Sequence, residues 1–110
     1  MINEVMFIEM ALSFSDTEEV KHFDRVGFKV KGKRMFATCL PENNTANIFL
    51  TPEEQTLFCE KDDENIYPVP NKWGDKGATT FELDVVSKKI VMEALSSAYS
   101  EVLKRRPAKR

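Results

Sequence analysis

The 110-residue chain carries 16 Lys and Arg against 18 Asp and Glu, a formal net charge of −2, with 42% hydrophobic and 31% charged residues. That balance fits one ordinary globular domain, 1–110, able to bury roughly two thirds of its unfolded surface without a metal or a disulfide. It argues against a strongly basic non-specific nucleic-acid binder while leaving room for local basic patches, and no run approaches the ~20 apolar residues of a membrane span.

Residues 2–13 read as a helix. Met1, Val5, Ile8 and Leu12 follow the helical period, Met6 and Met10 widen the apolar face, and Asn3, Glu4 and Glu9 take the other side. Glu4 and Glu9 also interrupt any apolar leader, so a cytoplasmic protein is expected. Thr17 to His22 is a less regular strand pattern. In Arg25 to Val30, Val26, Phe28 and Val30 alternate with Gly27 and Lys29, the period of a half-buried strand. Gly32 suits the positive φ of a tight reversal at Lys31-Gly32-Lys33. Arg34 to Leu40 then returns, Pro41 to Asn44 turns, and Thr45 to Leu50 makes the next strand, an antiparallel meander.

Thr51-Pro52-Glu53-Glu54 is a helix start: Thr51 caps, Pro52 takes the first helical position, and Glu54 closes a capping box. The helix is expected over Pro52 to Glu60, burying Leu57 and Phe58 or Cys59. After the charged loop 61–65, Pro68-Val69-Pro70-Asn71-Lys72-Trp73-Gly74-Asp75-Lys76-Gly77 holds the only tryptophan and two of the four glycines. Its prolines bar a regular helix or a central strand, so it reads as a rigid surface loop with a buried Trp73 as anchor. Ala78 to Leu83 is the last strand. Val86, Ile90, Ala94, Ala98 and Val102, with Val91, Leu95 and Tyr99, stripe a helix over 87–104. Pro107 is expected to stop it, and the last four residues to fray. The fold class that follows is α+β: one antiparallel sheet with the N- and C-terminal helices packed on one face and a short internal helix.

The chemistry-bearing residues are few. His22 is the single histidine, and with Cys39 and Cys59 far apart no metal-ligand spacing occurs. Both cysteines read as small buried hydrophobes in a reducing compartment. No phosphate-binding glycine loop or nucleophile signature is present, so neither an enzyme nor a cofactor is expected. Asp62-Asp63-Glu64 reads as a solvated loop rather than a cation site. The basic residues are more suggestive. Lys29, Lys31, Lys33 and Arg34 surround one tight reversal, and Lys72 and Lys76 flank Trp73 on the second loop. Two such loops could straddle a phosphate backbone; equally, lysines at turn tips keep sheet edges soluble.

Ala11-Leu12-Ser13-Phe14 with Glu18-Glu19, His22-Phe23-Asp24-Arg25-Val26-Gly27-Phe28-Lys29-Val30, Phe36-Ala37-Thr38, Leu50-Thr51-Pro52-Glu53 and above all Pro68-Val69-Pro70-Asn71-Lys72-Trp73-Gly74 resemble the MmcQ/YjbR family. The resemblance spans nearly the whole chain. It implies a small bacterial α+β domain with five or six antiparallel strands, similar in fold to the frataxin-like CyaY proteins. Members are described as predicted DNA-binding proteins with a double-wing motif. Carried onto this sequence, that implies duplex DNA contacted by Lys29, Lys31, Lys33, Arg34, Lys72, Trp73 and Lys76, by a monomer without metal or membrane partner. The first helix lacks a dense acidic ridge, so iron binding does not carry over. The rival expectation is a protein- or small-ligand-binding module using the open sheet face beside Trp73, without catalysis.

Overall fold

The computed structural model describes residues 1–104; the expected helix stop at Pro107 and the fraying after it lie outside the described residues. Helix α1 (Glu4–Leu12) leads into strands β1 (Thr17–His22), β2 (Arg25–Val30), β3 (Met35–Leu40) and β4 (Thr45–Phe49). Helix α2 (Pro52–Lys61), strand β5 (Ile66–Pro68), the single turn α3 (Lys72–Asp75), strand β6 (Ala78–Glu82) and helix α4 (Lys88–Lys104) follow. The six strands form one antiparallel sheet in the order β1-β2-β3-β4-β6-β5.

Local chemistry explains the turns and starts. Gly32 sits at φ +75° in the β2–β3 reversal, a conformation that favours glycine. The Thr51 hydroxyl accepts from the Glu54 N–H at 3.1 Å, and the Glu54 carboxylate accepts from the Thr51 N–H at 3.0 Å, so the capping box forms as expected. Asn44, at φ 52°, donates to the Ile2 carbonyl at 3.0 Å and to Asp84 at 2.8 Å. With the Ile2 N–H donating to the Leu83 carbonyl, this ties the start of the chain to the end of β6.

Register sorts the side chains. Phe28, Ala37, Ile48 and Thr79 lie on one cross-strand row, and Val26, Cys39, Ala46, Phe81 and Ile66 on the next; both rows face the helices. Phe28 pairs with Ala37 but Lys29 with Met35, so Phe36 is an extra residue in β3. That bulge sends Phe36 to the helix side, fully buried and edge-on to Tyr99 at 5.9 Å. Small residues (Ala37, Cys39 and Ala46) lie under α4, which packs over β3 and β4 with Ala94 and Ala98 buried. Phe7 of α1 meets Phe28 edge-on at 5.7 Å, and Phe58 of α2 meets Phe81 at 6.2 Å. The terminal helices therefore share one face, with α2 joining them over β5.

Two apolar assignments need correction. On α1 the buried residues are Phe7, Met10 and Ala11, with Ile2 ahead of the helix, whereas Met1, Val5 and Leu12 are exposed. The methionine-rich segment offers two helical stripes of similar hydrophobicity, and the larger Phe7 ring selects the inward one. On α2, Phe58 is buried and Cys59 half-buried, but Leu57 is exposed, because the helix presents a single narrow contact line to β5 and β6.

Candidate functional site

Strand directions decide which loops lie together. Met35 begins β3, Phe49 ends β4, Ala78 begins β6 and Pro68 ends β5, and these positions share one end of the sheet. The β2–β3 reversal (Lys31 to Arg34) and the β5–β6 connection carrying α3 therefore project from the same end. The reversal lies between the second and third strand positions and the α3 loop between the fifth and sixth. They are three strand spacings apart, about 14 Å along the sheet. Lys31, Lys33, Arg34, Lys72 and Lys76 are all exposed there, while Lys29 is half-buried on the open face. Helix α4 runs toward the same end, since Tyr99 reaches Phe36 and the Ser15 carbonyl. Lys104 lies five residues further, ~7.5 Å along the axis, and brings another cation that sequence periodicity alone could not place. Asp75 on α3, the exposed Glu53 between the loops and the exposed Asp16, whose carbonyl accepts from the Lys31 N–H at 2.7 Å, carry the opposite sign at the same end, so lysines and arginine outnumber the acids there without excluding them.

The α3 loop is built by backbone contact. A Cβ on Gly74 would lie 1.8 Å from the Val69 carbonyl oxygen, and one on Gly77, at φ +116°, 1.9 Å from that of Leu50. Only glycine permits such approaches. The Asn71 side chain accepts from the Trp73 N–H at 2.8 Å, and Gln55 of α2 donates to the carbonyls of Gly74 and Ala78 at 2.9 and 3.0 Å. Pro68 sits on the edge strand, where its missing N–H costs least. The expectation of a buried Trp73 anchor is overturned: the residue is 64% exposed. With both glycines pressed onto neighbouring backbone and Gln55 tying the loop to α2, the loop needs no indole to hold it. Instead the ring carries the Lys76 ammonium 5.6 Å from its centroid.

The open face has its own polar row. Arg25 donates to the Thr38 hydroxyl at 3.3 Å, Thr80 donates to Asn47 at 2.8 Å, and the Tyr67 hydroxyl donates to Glu82. That last bond, with burial, pushes the Tyr67 phenol up to about 12. These residues sit at every second strand position, a period visible in the sequence but masked by their unremarkable composition. Two open surface depressions are lined by Phe14, Lys88 and Met92 and by Gln55, Cys59 and Pro68; neither borders Trp73. His22 ends β1 at the opposite end of the sheet from the α3 loop. In the acidic run Asp62 accepts from Asn65 at 3.0 Å as part of a turn. Among the described residues no group of three or more His, Cys, Asp or Glu could hold a metal ion, and no helix is long and apolar enough to cross a membrane. Burial pushes the Cys39 thiol up to about 11, with Glu4 and Glu19 adding to it, and raises that of Cys59.

None of the curated proteins matches this chain. Among solved structures, the Deinococcus radiodurans protein DR2400, described as a DUF419 domain, superimposes with a TM-score of 0.81 at 22% identity over 96% of this chain and 81% of that one. At that identity the likeness is one of fold. The YjbR family model matches residues 12–101. That match takes in the whole sheet, the Asn-Lys-Trp-Gly turn and most of α4, and the chain belongs to the YjbR family.

Proposed function

We propose that this protein binds nucleic acid through the phosphate backbone, using the β2–β3 reversal and the α3 loop as two basic tips. The observation that carries the reading is their common placement: Lys31, Lys33 and Arg34 on one tip and Lys72 and Lys76 on the other project from one end of the sheet. Their separation of about 14 Å is close to the ~12 Å width of the B-DNA major groove, so both tips can reach phosphates of one duplex at once. Lys104 adds charge at the same end. Affinity then arises from local contacts, because a chain of net charge −2 gains little from long-range attraction. Binding is weak and largely indifferent to sequence, since lysine-to-phosphate contacts carry no base information. The rival use of the open face receives less support, because its polar row is satisfied internally and neither depression adjoins Trp73.

The test is a duplex titration at low salt comparing wild type with Lys31→Glu/Lys33→Glu and with Lys72→Glu. The expected result is binding that each variant weakens. Binding unaffected by either would remove the two-tip mechanism, and no binding by wild type would remove the function.

A further inference from the structure

Several large apolar side chains are exposed, Phe23 more so than Trp73, but Trp73 is the one held beside the basic tip. It stands on a loop whose backbone cannot shift easily, because Gly74 and Gly77 are in contact with the Val69 and Leu50 carbonyls and Gln55 holds two further carbonyls. Yet the side chain that this rigid turn presents is 64% exposed. A large apolar ring left mostly in water forfeits the burial that would stabilise it. Lys76 lies over the ring and Lys72 opens the same turn, with Asp75 as its one acid, so cations outnumber anions two to one beside the indole. An exposed aromatic face among lysines, on a pre-formed backbone, matches what unpaired nucleotides require: a stacking surface for the base and ammonium groups for its phosphates. In a continuous duplex the base faces are occupied by their neighbours, and the ring would have no partner.

We propose that Trp73 is a stacking platform for an unpaired base, so that the preferred ligand is nucleic acid with a single-stranded stretch flanked by duplex. This rests on the backbone-binding reading above: the β2–β3 tip holds duplex phosphates while the α3 tip takes the unpaired nucleotide. Lys76 lies over the ring, and its ammonium is placed to reach the phosphate of the nucleotide stacked on Trp73. The other sheet-end lysines supply affinity without regard to strandedness.

Because the chain has a single tryptophan, its fluorescence reports this ring alone. Binding is followed by anisotropy of end-labelled oligonucleotides (a continuous duplex, the same duplex with a short single-stranded gap, and a single strand), and stacking by Trp73 emission. The expected result is strong quenching by gapped and single-stranded DNA and little by the continuous duplex. Trp73→Ala should weaken binding to the gapped ligand by roughly tenfold, in line with the loss of one base–aromatic stack, and weaken continuous-duplex binding several-fold less. Trp73→Phe should retain most of the preference. Binding of all three ligands without quenching, or equal weakening of all three by Trp73→Ala, would overturn the stacking role while leaving the backbone-binding reading intact. No anisotropy change with any ligand would overturn both.

Discussion

Replacing Gly74 by alanine tests how the α3 loop is held. In an open helix the change stabilises by about 1 kcal/mol, the difference in helix propensity, and Gly74 lies within the helical turn Lys72–Asp75. Here the new Cβ meets the Val69 carbonyl oxygen at 1.8 Å, where ordinary contact begins near 3.4 Å. The obstacle is backbone, and Val69 is tied to β6 by its N–H to the Ala78 carbonyl at 3.0 Å, so it cannot swing away like a flexible side chain. Overpacking of this kind costs about 1–3 kcal/mol. Because the obstacle is backbone that cannot give way, the cost lies at the upper end of that range, and set against the propensity gain the net is a loss of about 2 kcal/mol. With a urea dependence of roughly 1–3 kcal/mol per molar, the unfolding midpoint should fall by about 1 M. Trp73→Ala, removing a largely exposed ring, should cost less than about 1 kcal/mol. A neutral or stabilising Gly74→Ala would mean that the close approach does not exist. A Trp73→Ala as damaging as the glycine change would restore the indole as the loop's anchor.

The other expected outcomes concern single groups. Thr51→Ala should cost about 1 kcal/mol in a denaturant melt, the usual loss of an N-cap. Phe23, at φ 62° and 94% exposed at the β1–β2 turn, should give a more stable protein as Phe23→Gly, by about 1 kcal/mol, because left-handed backbone is costly for a side chain and free for glycine. Timed alkylation should modify Cys59 well before Cys39, whose buried thiol is raised to about 11. The Glu82 hydrogen bond raises the Tyr67 phenol above its ordinary 10.0 to about 12. Its contribution is therefore whole below pH 10 and lost as pH rises toward 12; an alkaline melt series should show that loss in wild type and not in Tyr67→Phe.

Much of the fold is legible because local and global signals agree. The alternation in Val26, Phe28 and Val30, the glycine at the reversal, the Thr51 capping box and the long α4 stripe each have one reading, and the structure follows them. Segments with two acceptable answers are not legible in this way. On α1 the choice between stripes depended on which ring could meet Phe28, a contact some twenty residues away. Trp73 shows the same limit at the site: its loop chemistry predicts rigidity correctly, but composition cannot tell whether the ring or the glycines provide it. The shared end of the two basic tips was also invisible in the sequence, because it depends on β6 lying between β4 and β5.

The most direct test of the central claim is the salt dependence of duplex binding, measured from about 50 to 200 mM. If Lys31, Lys33, Lys72 and Lys76 each neutralise one phosphate, log K should fall against log salt with a slope of about −3.6, at −0.9 per contact. Lys31→Glu/Lys33→Glu and Lys72→Glu should each make that slope shallower, by about 1.8 and 0.9. The contradicting result is a wild-type protein that does not bind at about 50 mM, where phosphate contacts are most favourable, or one whose affinity does not change with salt.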